Sequence, residues 1–383
     1  MRVLQVHNFY QQAGGEDRVF AAEYDLLTAR GHRVSQYTSH NDSLAGHSAA
    51  PMAVRSIWNR TAYREIRNLI RAESIELVHA HNTFPIISPA VYYAARAESV
   101  PVVQTLHNYR LLCPAATFFR AGAVCEQCLG RRVPYPAIVH RCYRRSAGAS
   151  FAAAAMLAGH RAAGTWNTKI DAYVALTTFS KNKFVEGGLP ARRIHIKPGF
   201  AEDPGCGSGS GGYALFLGRL TEEKGVDTLC RAWSQLGGGI ALKVAGDGPL
   251  KSSLQGLTGV EYLGQCARPQ VLELLKQAAF LVVPSLWYEG FPMAIVEALA
   301  CGTPVVASAL GSLNELIEDG VNGFRFAPGD TAALLRCVEN TSKNHARMRS
   351  GARACYEQNY TAARNYDILM QIYSAAARQD KSL

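Results

Sequence analysis

Residues 280–306 read Phe280-Leu281-Val282-Val283-Pro284-Ser285-Leu286-Trp287-Tyr288-Glu289-Gly290-Phe291-Pro292-Met293-Ala294-Ile295-Val296-Glu297-Ala298-Leu299-Ala300-Cys301-Gly302-Thr303-Pro304-Val305-Val306. The unbroken apolar run Phe280–Val283 is the signature of a strand buried on both faces. The spacing predicts a helix over Met293–Cys301, stopped by Gly302, and a second strand over Pro304–Ala307. Strand, loop, helix and strand make a βαβ unit, so the sheet is parallel. Glu289 then lies in the loop at a strand's carboxyl end. Gly290 lets the backbone come close to a ligand. The first turn of the helix, reached through Phe291, Pro292 and Met293, offers N–H groups to an anion. Glu297 follows one turn later. Two carboxylates so placed suit the hydroxyls of a sugar or ribose.

The same alternation extends in both directions. Downstream of residue 212 the expected strands are Tyr213–Leu217, Ala241–Ala245 and Gly323–Phe326. The helices are Gly225–Leu236, Pro269–Gln277, Leu313–Glu318 and Thr331–Glu339, with Asn344–Gln358 and Ala362–Arg378 also helical. Upstream, strands are expected at Val3–His7, Arg33–Tyr37, Ile75–His79, Val102–Leu106 and Ala172–Leu176. Helices are expected at Phe20–Arg30, Ala62–Ala72, Pro89–Ala97 and Phe179–Glu186. Between the halves, Pro198–Gly212 holds two Pro, six Gly and two Ser, the composition of a linker. The chain of 383 residues is long enough for two domains. Ligands of open α/β sheets bind outside the carboxyl ends of the strands, so the expected site is the cleft between two such domains.

Charge sharpens this division. The net charge is +10, and residues 1–200 carry 24 basic and 12 acidic side chains. The remainder carries 16 basic and 18 acidic ones. A basic first half suits an acidic partner. Charged residues are only 18% of the chain, which excludes a disordered protein. No apolar run reaches the length of a membrane span. Met1–His7 reads as a first strand rather than a leader, so the protein is expected in the cytoplasm, with its ten cysteines mostly reduced.

Further constellations sit at the expected strand ends. Leu217-Gly218-Arg219-Leu220-Thr221-Glu222-Glu223-Lys224-Gly225 brings two cations to a helix start, where a diphosphate would fit. Gly246 and Gly248, in Ala245-Gly246-Asp247-Gly248-Pro249, shape a tight turn. Gln12-Ala13-Gly14-Gly15 follows the first strand and frees backbone N–H groups, Gly15 being the close-approach residue. It lacks the G-x-G-x-x-G spacing of a nicotinamide site. His79 and His81 end one strand, and His107 with Asn108 ends the next. Cys113, Cys125, Cys128 and Cys142 are spaced C-x11-C-x2-C-x13-C in an irregular insertion, compatible with a structural Zn²⁺ or with four unligated thiols. Arg60, Arg64, Arg67 and Arg71 share a helical face opposite apolar residues. With Arg131, Arg132, Arg141, Arg144, Arg145 and Arg161 they suggest contact with anionic lipid, or an ordinary solvated surface.

The run Glu289-Gly-Phe-Pro-Met to Glu297 resembles the E-x7-E motif of retaining GT-B glycosyltransferases of family 4. Ala300–Val306 is similar to that family's small-Gly-x-Pro-Val-Val strand, and Gly218-Arg219 to Lys224-Gly225 to its G-R-x…K-G motif. A Cys-containing His-Asn-Tyr-Arg-Leu-Leu-Cys-Pro segment, as at 107–114, occurs in a subset of the family. The resemblance implies two Rossmann-like domains facing across a cleft. Residues 1–198 would bind the acceptor, with the insertion at about 110–145. After a linker at 199–212, residues 213–361 would bind a nucleotide-diphosphate sugar, and the helix in 362–383 would cross back. It further implies that Arg219 and Lys224 neutralise the diphosphate without a catalytic metal or other cofactor. Glu289 would hold the sugar, Glu297 the ribose, and the backbone at Phe291 and Met293 would donate to the donor. Gly15 and Gly246 would border the donor. His107 would face the reacting sugar, with His81 and Asn108 on the acceptor side. The implied acceptor is a glycan or lipid-linked sugar at the inner face of the cytoplasmic membrane, not a nucleic acid. A nucleotide-sugar 2-epimerase on the same fold, or a basic binding protein with a zinc module, are the alternatives.

Overall fold

The computed structural model describes residues 1–11, 14–44 and 49–379. Gln12 and Ala13 of the glycine loop lie outside them. The chain divides into two units. The first comprises Met1–Phe118, Glu126–Lys197 and Asn365–Leu383; the second comprises Phe119–Cys125 and Pro198–Arg364.

In the first half the elements run β1 Arg2–Phe9, α1 Gly15–Ala29, β2 Arg33–His40, α2 Ala49–Ile57, α3 Arg60–Glu73, β3 Leu77–Asn82, α4 Ala90–Ala97 and β4 Val102–Thr105. A short antiparallel pair, β5 Phe119–Arg120 and β6 Ala123–Val124, follows. Then come α5 Pro136–Val139, α6 Ala147–Ala162, α7 Thr165–Thr168, β7 Ala172–Ala175, α8 Thr178–Glu186 and β8 Ile194–Ile196. The sheet is parallel, in the order β2-β1-β3-β4-β7-β8. β3, β4 and β7 are buried throughout.

The second half runs β9 Tyr213–Leu217, α9 Val226–Leu236, β10 Ala241–Ala245, β11 Val260–Gly264, α10 Arg268–Gln277, β12 Phe280–Val283, α11 Met293–Ala300 and β13 Val305–Ser308. It ends with α12 Leu313–Leu316, β14 Gly323–Phe326, α13 Thr331–Asn359 and α14 Ala362–Gln379. Its sheet is also parallel, in the order β11-β10-β9-β12-β13-β14. The strand order reverses between β9 and β12, the place where such sheets hold ligands.

From Asn365 onward α14 belongs to the first unit. Leu369, Ile372, Tyr373 and Ala376 recur at helical spacing and join one core with Val3, Leu27, Leu77, Val103, Ala172 and Val174.

Several elements differ from the sequence expectation, each for a local reason. α1 begins five residues early, because the Gly14 N–H donates to Asp17 Oδ2 at 2.7 Å and closes a capping turn. α13 is one helix of 29 residues, not two pieces. Its polar middle stays helical because Val338, Thr341 and Met348 are buried on one side of it, the Thr341 hydroxyl being satisfied by the Cys337 carbonyl at 2.7 Å. The edge strands β8 and β11 and the Ala-rich α6 carry too little periodic contrast to be read from sequence.

Candidate functional site

In the second unit three strand ends supply the site. β9 runs into Gly218 and the loop to Lys224, β10 into Gly246, and β12 into Pro284–Pro292. Two glycines allow these loops to touch. A Cβ on Gly225, at φ 72°, would stand 1.8 Å from the Pro284 carbonyl oxygen. A Cβ on Gly246 would stand 1.9 Å from the Gly218 carbonyl oxygen. No other residue fits either place.

The Gly225–Pro284 approach sets Lys224 against Glu289. The ammonium donates to Oε1 at 2.7 Å and to Oε2 at 3.0 Å. Ser285 Oγ donates to Oε1 at 2.6 Å, and Lys224 Nζ lies 5.3 Å from the centre of the Trp287 ring. Glu289 is buried. Burial pushes its carboxyl up, but the Lys224 charge and the hydrogen bonds more than offset this, so it titrates below the ordinary carboxylate value. The site thus holds a fixed carboxylate at the strand end, with a cation directly beside it.

Glu297 is also buried, in α11, and Arg268 at the start of α10 approaches it at 3.7 Å. Arg268 escapes sequence reading because it lies 29 residues away on another helix. Pro292 caps α11 and accepts from the Ile295 N–H at 2.9 Å. Gly290 accepts from Ser312 Oγ at 3.3 Å. Phe291 and Met293 pack on the apolar core. Arg219 stands apart from the Lys224–Glu289 pair: its side chain is 55% exposed and donates to Glu223 at 3.1 Å.

In the first unit the strand-end histidines form one buried network. His81 Nδ1 lies 3.0 Å from His107 Nε2. His79 lies 2.8 Å from both Tyr373 Oη and Thr105 Oγ1. His7 Nε2 contacts Asp17 Oδ1 at 2.7 Å. Beneath them, Lys197 donates to Glu23 Oε1 at 2.5 Å and to Asn365 Oδ1 at 3.2 Å, and both charged groups are fully buried. Burial, with the neighbouring histidines and Lys197, lowers His81 and His107 well below the ordinary imidazole value. Burial likewise lowers His79 to about 4, although Glu23 opposes it. His79, His81 and His107 therefore favour the neutral form at pH 7. Asn108 donates to Tyr10 Oη and Glu16 Oε2, both at 3.3 Å, and Gly15 opens α1 beside Glu16. Burial and Asp17 raise the Glu16 carboxyl to about 8.

Glu23, Lys197 and Glu16 are not among the residues singled out from sequence. Glu23 had a signal: it interrupts the buried stripe Val19, Phe20, Leu27 of α1. Among the described residues Glu23, His79 and His81 are the one group of ligand atoms close enough to hold an ion. Lys197 already compensates the carboxylate there, and both His79 nitrogens are engaged with hydroxyls, so the group suits a neutral polar core better than a divalent ion.

The four cysteines of the expected zinc site do not converge in this structure. Among the described residues Cys113, Cys125, Cys128 and Cys142 provide no set of three ligand atoms within reach of one ion. Cys125 belongs to the second unit and the others to the first. Cys128 Sγ points to the Pro134 carbonyl at 3.8 Å, and the Cys113 N–H closes a turn onto Tyr109. The basic face of α3 is also narrower than its spacing implies. Arg67 and Arg71 both bind Glu98, at 2.6 and 2.7 Å. Arg161 turns inward to the carbonyls of Arg131 and Leu111.

Residues 13–200 match the model of Glycosyltransferase Family 4, and residues 211–344 match that of the Glycosyl transferases group 1. An uncharacterised glycosyltransferase of Methanocaldococcus jannaschii is 26% identical over 338 residues, 85% of this chain and 83% of that protein. Anabaena HepE, solved with UDP, superposes with a TM-score of 0.66 at 20% identity, covering 98% of this chain and 100% of that one. Sucrose-phosphate synthase from Thermosynechococcus elongatus superposes with a TM-score of 0.71 at 16% identity, covering 98% and 99%. The chain belongs to the glycosyltransferases, with a family 4 first half and a group 1 second half on an α/β fold of GT-B type.

Proposed function

We propose that this enzyme transfers a sugar from a nucleotide-diphosphate donor, a UDP- or GDP-sugar, to a glycan or lipid-linked acceptor with retention of configuration. The Lys224–Glu289 pair carries this reading. It fixes a buried carboxylate at the strand-order reversal, where a donor sugar's hydroxyls would meet it. Lys224 and Arg219 would face the donor diphosphate and stabilise the leaving group as charge develops, with no catalytic metal. Glu297 would take the ribose, and the backbone around Gly290, Phe291, Pro292 and Met293, with Gly246, would shape the donor pocket. Gly15 would border the donor, His107 would face the reacting sugar, and His81 and Asn108 would line the acceptor side, the neutral histidines orienting hydroxyls without acting as bases. The notion of UDP as a ligand is supported by the structure of HepE, solved with UDP and with UDP-glucose.

We assign residues 1–198 to the acceptor and 213–361 to the donor, joined by 199–212, with 362–383 returning to the acceptor domain. The enzyme would serve cell-surface polysaccharide or glycolipid synthesis from the cytoplasmic side of the membrane. Among the described residues no helix is long and apolar enough to cross a membrane.

Titration calorimetry with UDP and GDP tests this reading. The expected result is saturable, metal-independent binding of at least one nucleotide, weakened at least tenfold by Glu297→Ala. Glu289→Ala and Lys224→Ala should abolish transfer from the matching nucleotide sugar. Absence of binding by either nucleotide would overturn it.

A further inference from the structure

His79 and His81 stand two residues apart on β3, so their side chains share one face of the strand. Glu23 of α1 reaches that face and is buried with both of them. Its Oε1 takes the Lys197 ammonium at 2.5 Å. Among the described residues its Oε2 has no hydrogen-bond partner, and neither has His81 Nε2. These two orphaned atoms face each other at 3.6 Å. His79 Nδ1 is equally far from Oε2, but both His79 nitrogens are already engaged, with Tyr373 and Thr105.

Buried polar atoms without partners are rare, and this pair has a consequence for proton placement. A neutral imidazole carries one N–H, and its other nitrogen is a lone pair. Burial, with the neighbouring histidines and Lys197, favours neutral His81, so the ring has a single proton to place. A lone pair at Nε2 would be repelled by the carboxylate, whereas an N–H there is attracted to it. The proton therefore belongs on Nε2, and Nδ1 is left as an acceptor. His107 Nε2 lies 3.0 Å from that Nδ1 and must be the donor. His107 is then protonated at Nε2 and bare at Nδ1. Its side chain is only half-buried, within reach of a ligand. His79 does not set this direction. The hydroxyls on its two nitrogens can donate or accept, while a carboxylate can only accept.

We propose that Glu23 is a positioning residue: through His81 it fixes which nitrogen of His107 carries the proton, leaving Nδ1 to accept a hydrogen bond from a sugar hydroxyl. This rests on the reading that His107 faces the reacting sugar. Glu23 itself touches no substrate, and Lys197 serves to hold its carboxylate in place.

The test is nitrogen NMR on the full chain with ¹⁵N-labelled histidine at pH 7, which reads the tautomer of each ring. The signal lost in His107→Asn assigns that ring. In the wild type His107 is expected to be protonated at Nε2 alone. Glu23→Met with Lys197→Met removes both charges together, so no uncompensated charge stays buried. In that variant His107 should show both tautomers. The kcat/KM for sugar transfer should fall with the fraction still bare at Nδ1, about twofold where half of the rings switch. A wild-type His107 protonated at Nδ1 would overturn the proposal without any variant. So would a folded double variant whose His107 tautomer is unchanged, since Glu23 would then be merely structural. The spectra need neither nucleotide nor sugar, so failure of UDP and GDP to bind is distinguishable from failure of this inference.

Discussion

At the scale of single residues, Lys224 and Glu289 depend on each other. Removing the cation leaves a buried carboxylate with neutral partners alone, Ser285 and Trp287, so Lys224→Met should cost about 2–4 kcal/mol. The figure sits below that for a fully buried pair because the Lys224 side chain is 20% exposed. The pH dependence gives the sharper test. In the wild type the lowered carboxyl of Glu289 adds stability above the ordinary carboxylate range, and that contribution is lost as pH falls through its folded value. In Lys224→Met burial acts with little opposition, the carboxyl titrates higher than normal, and the sign reverses. The variant should be least stable relative to wild type at neutral pH, with the gap closing on acidification, as read by urea unfolding at several pH values. The motif made Glu289, Glu297 and Lys224 legible in the sequence. Their pairing was not, because it depends on Gly225 meeting Pro284 across 59 residues of chain.

At the scale of elements, the ends of β3 and β4 place uncharged imidazoles over a buried Glu23–Lys197 pair. His79, His81 and His107 all titrate below the ordinary histidine value in the folded chain. The unfolded chain therefore binds more protons as pH drops below about 6.5, and stability falls by up to about 1.4 kcal/mol per pH unit for each histidine. Melting temperature should decline steeply from pH 6 toward pH 4. His107→Asn should flatten that slope by roughly one proton, while an unchanged slope would show that His107 does not titrate in this way. Sequence spacing located β3, β4, His81 and His107, since apolar runs ending in polar residues are visible in one dimension. Glu23, Lys197 and Tyr373 come from three distant elements, and only packing brings them under the strand ends. The four cysteines show the reverse: among the described residues, nearness along the chain does not gather three of their thiols into one group.

At the scale of the whole molecule, the parallel α/β architecture was legible because each strand is a short apolar run followed by a helical period. What the period could not supply is where α14 packs. Its apolar face, Leu369, Ile372, Tyr373 and Ala376, completes the core of the first unit with residues from β1, α1, β3, β4 and β7. Tyr373 does two jobs there. Its ring is fully buried, and its hydroxyl meets His79 Nδ1 at 2.8 Å. Tyr373→Phe removes the second role alone and should cost about 1–3 kcal/mol, the penalty of a buried nitrogen left without its partner. Tyr373→Ala also opens a ring-sized cavity and should cost about 4–6 kcal/mol. That loss falls within the first unit, so calorimetry should show its transition moving down while binding of the proposed nucleotide, UDP or GDP, measured below that transition, stays near the wild-type value. If Tyr373→Ala abolished binding of the proposed nucleotide at temperatures where the first unit is still folded, the two units would not be energetically separable in the way their cores suggest.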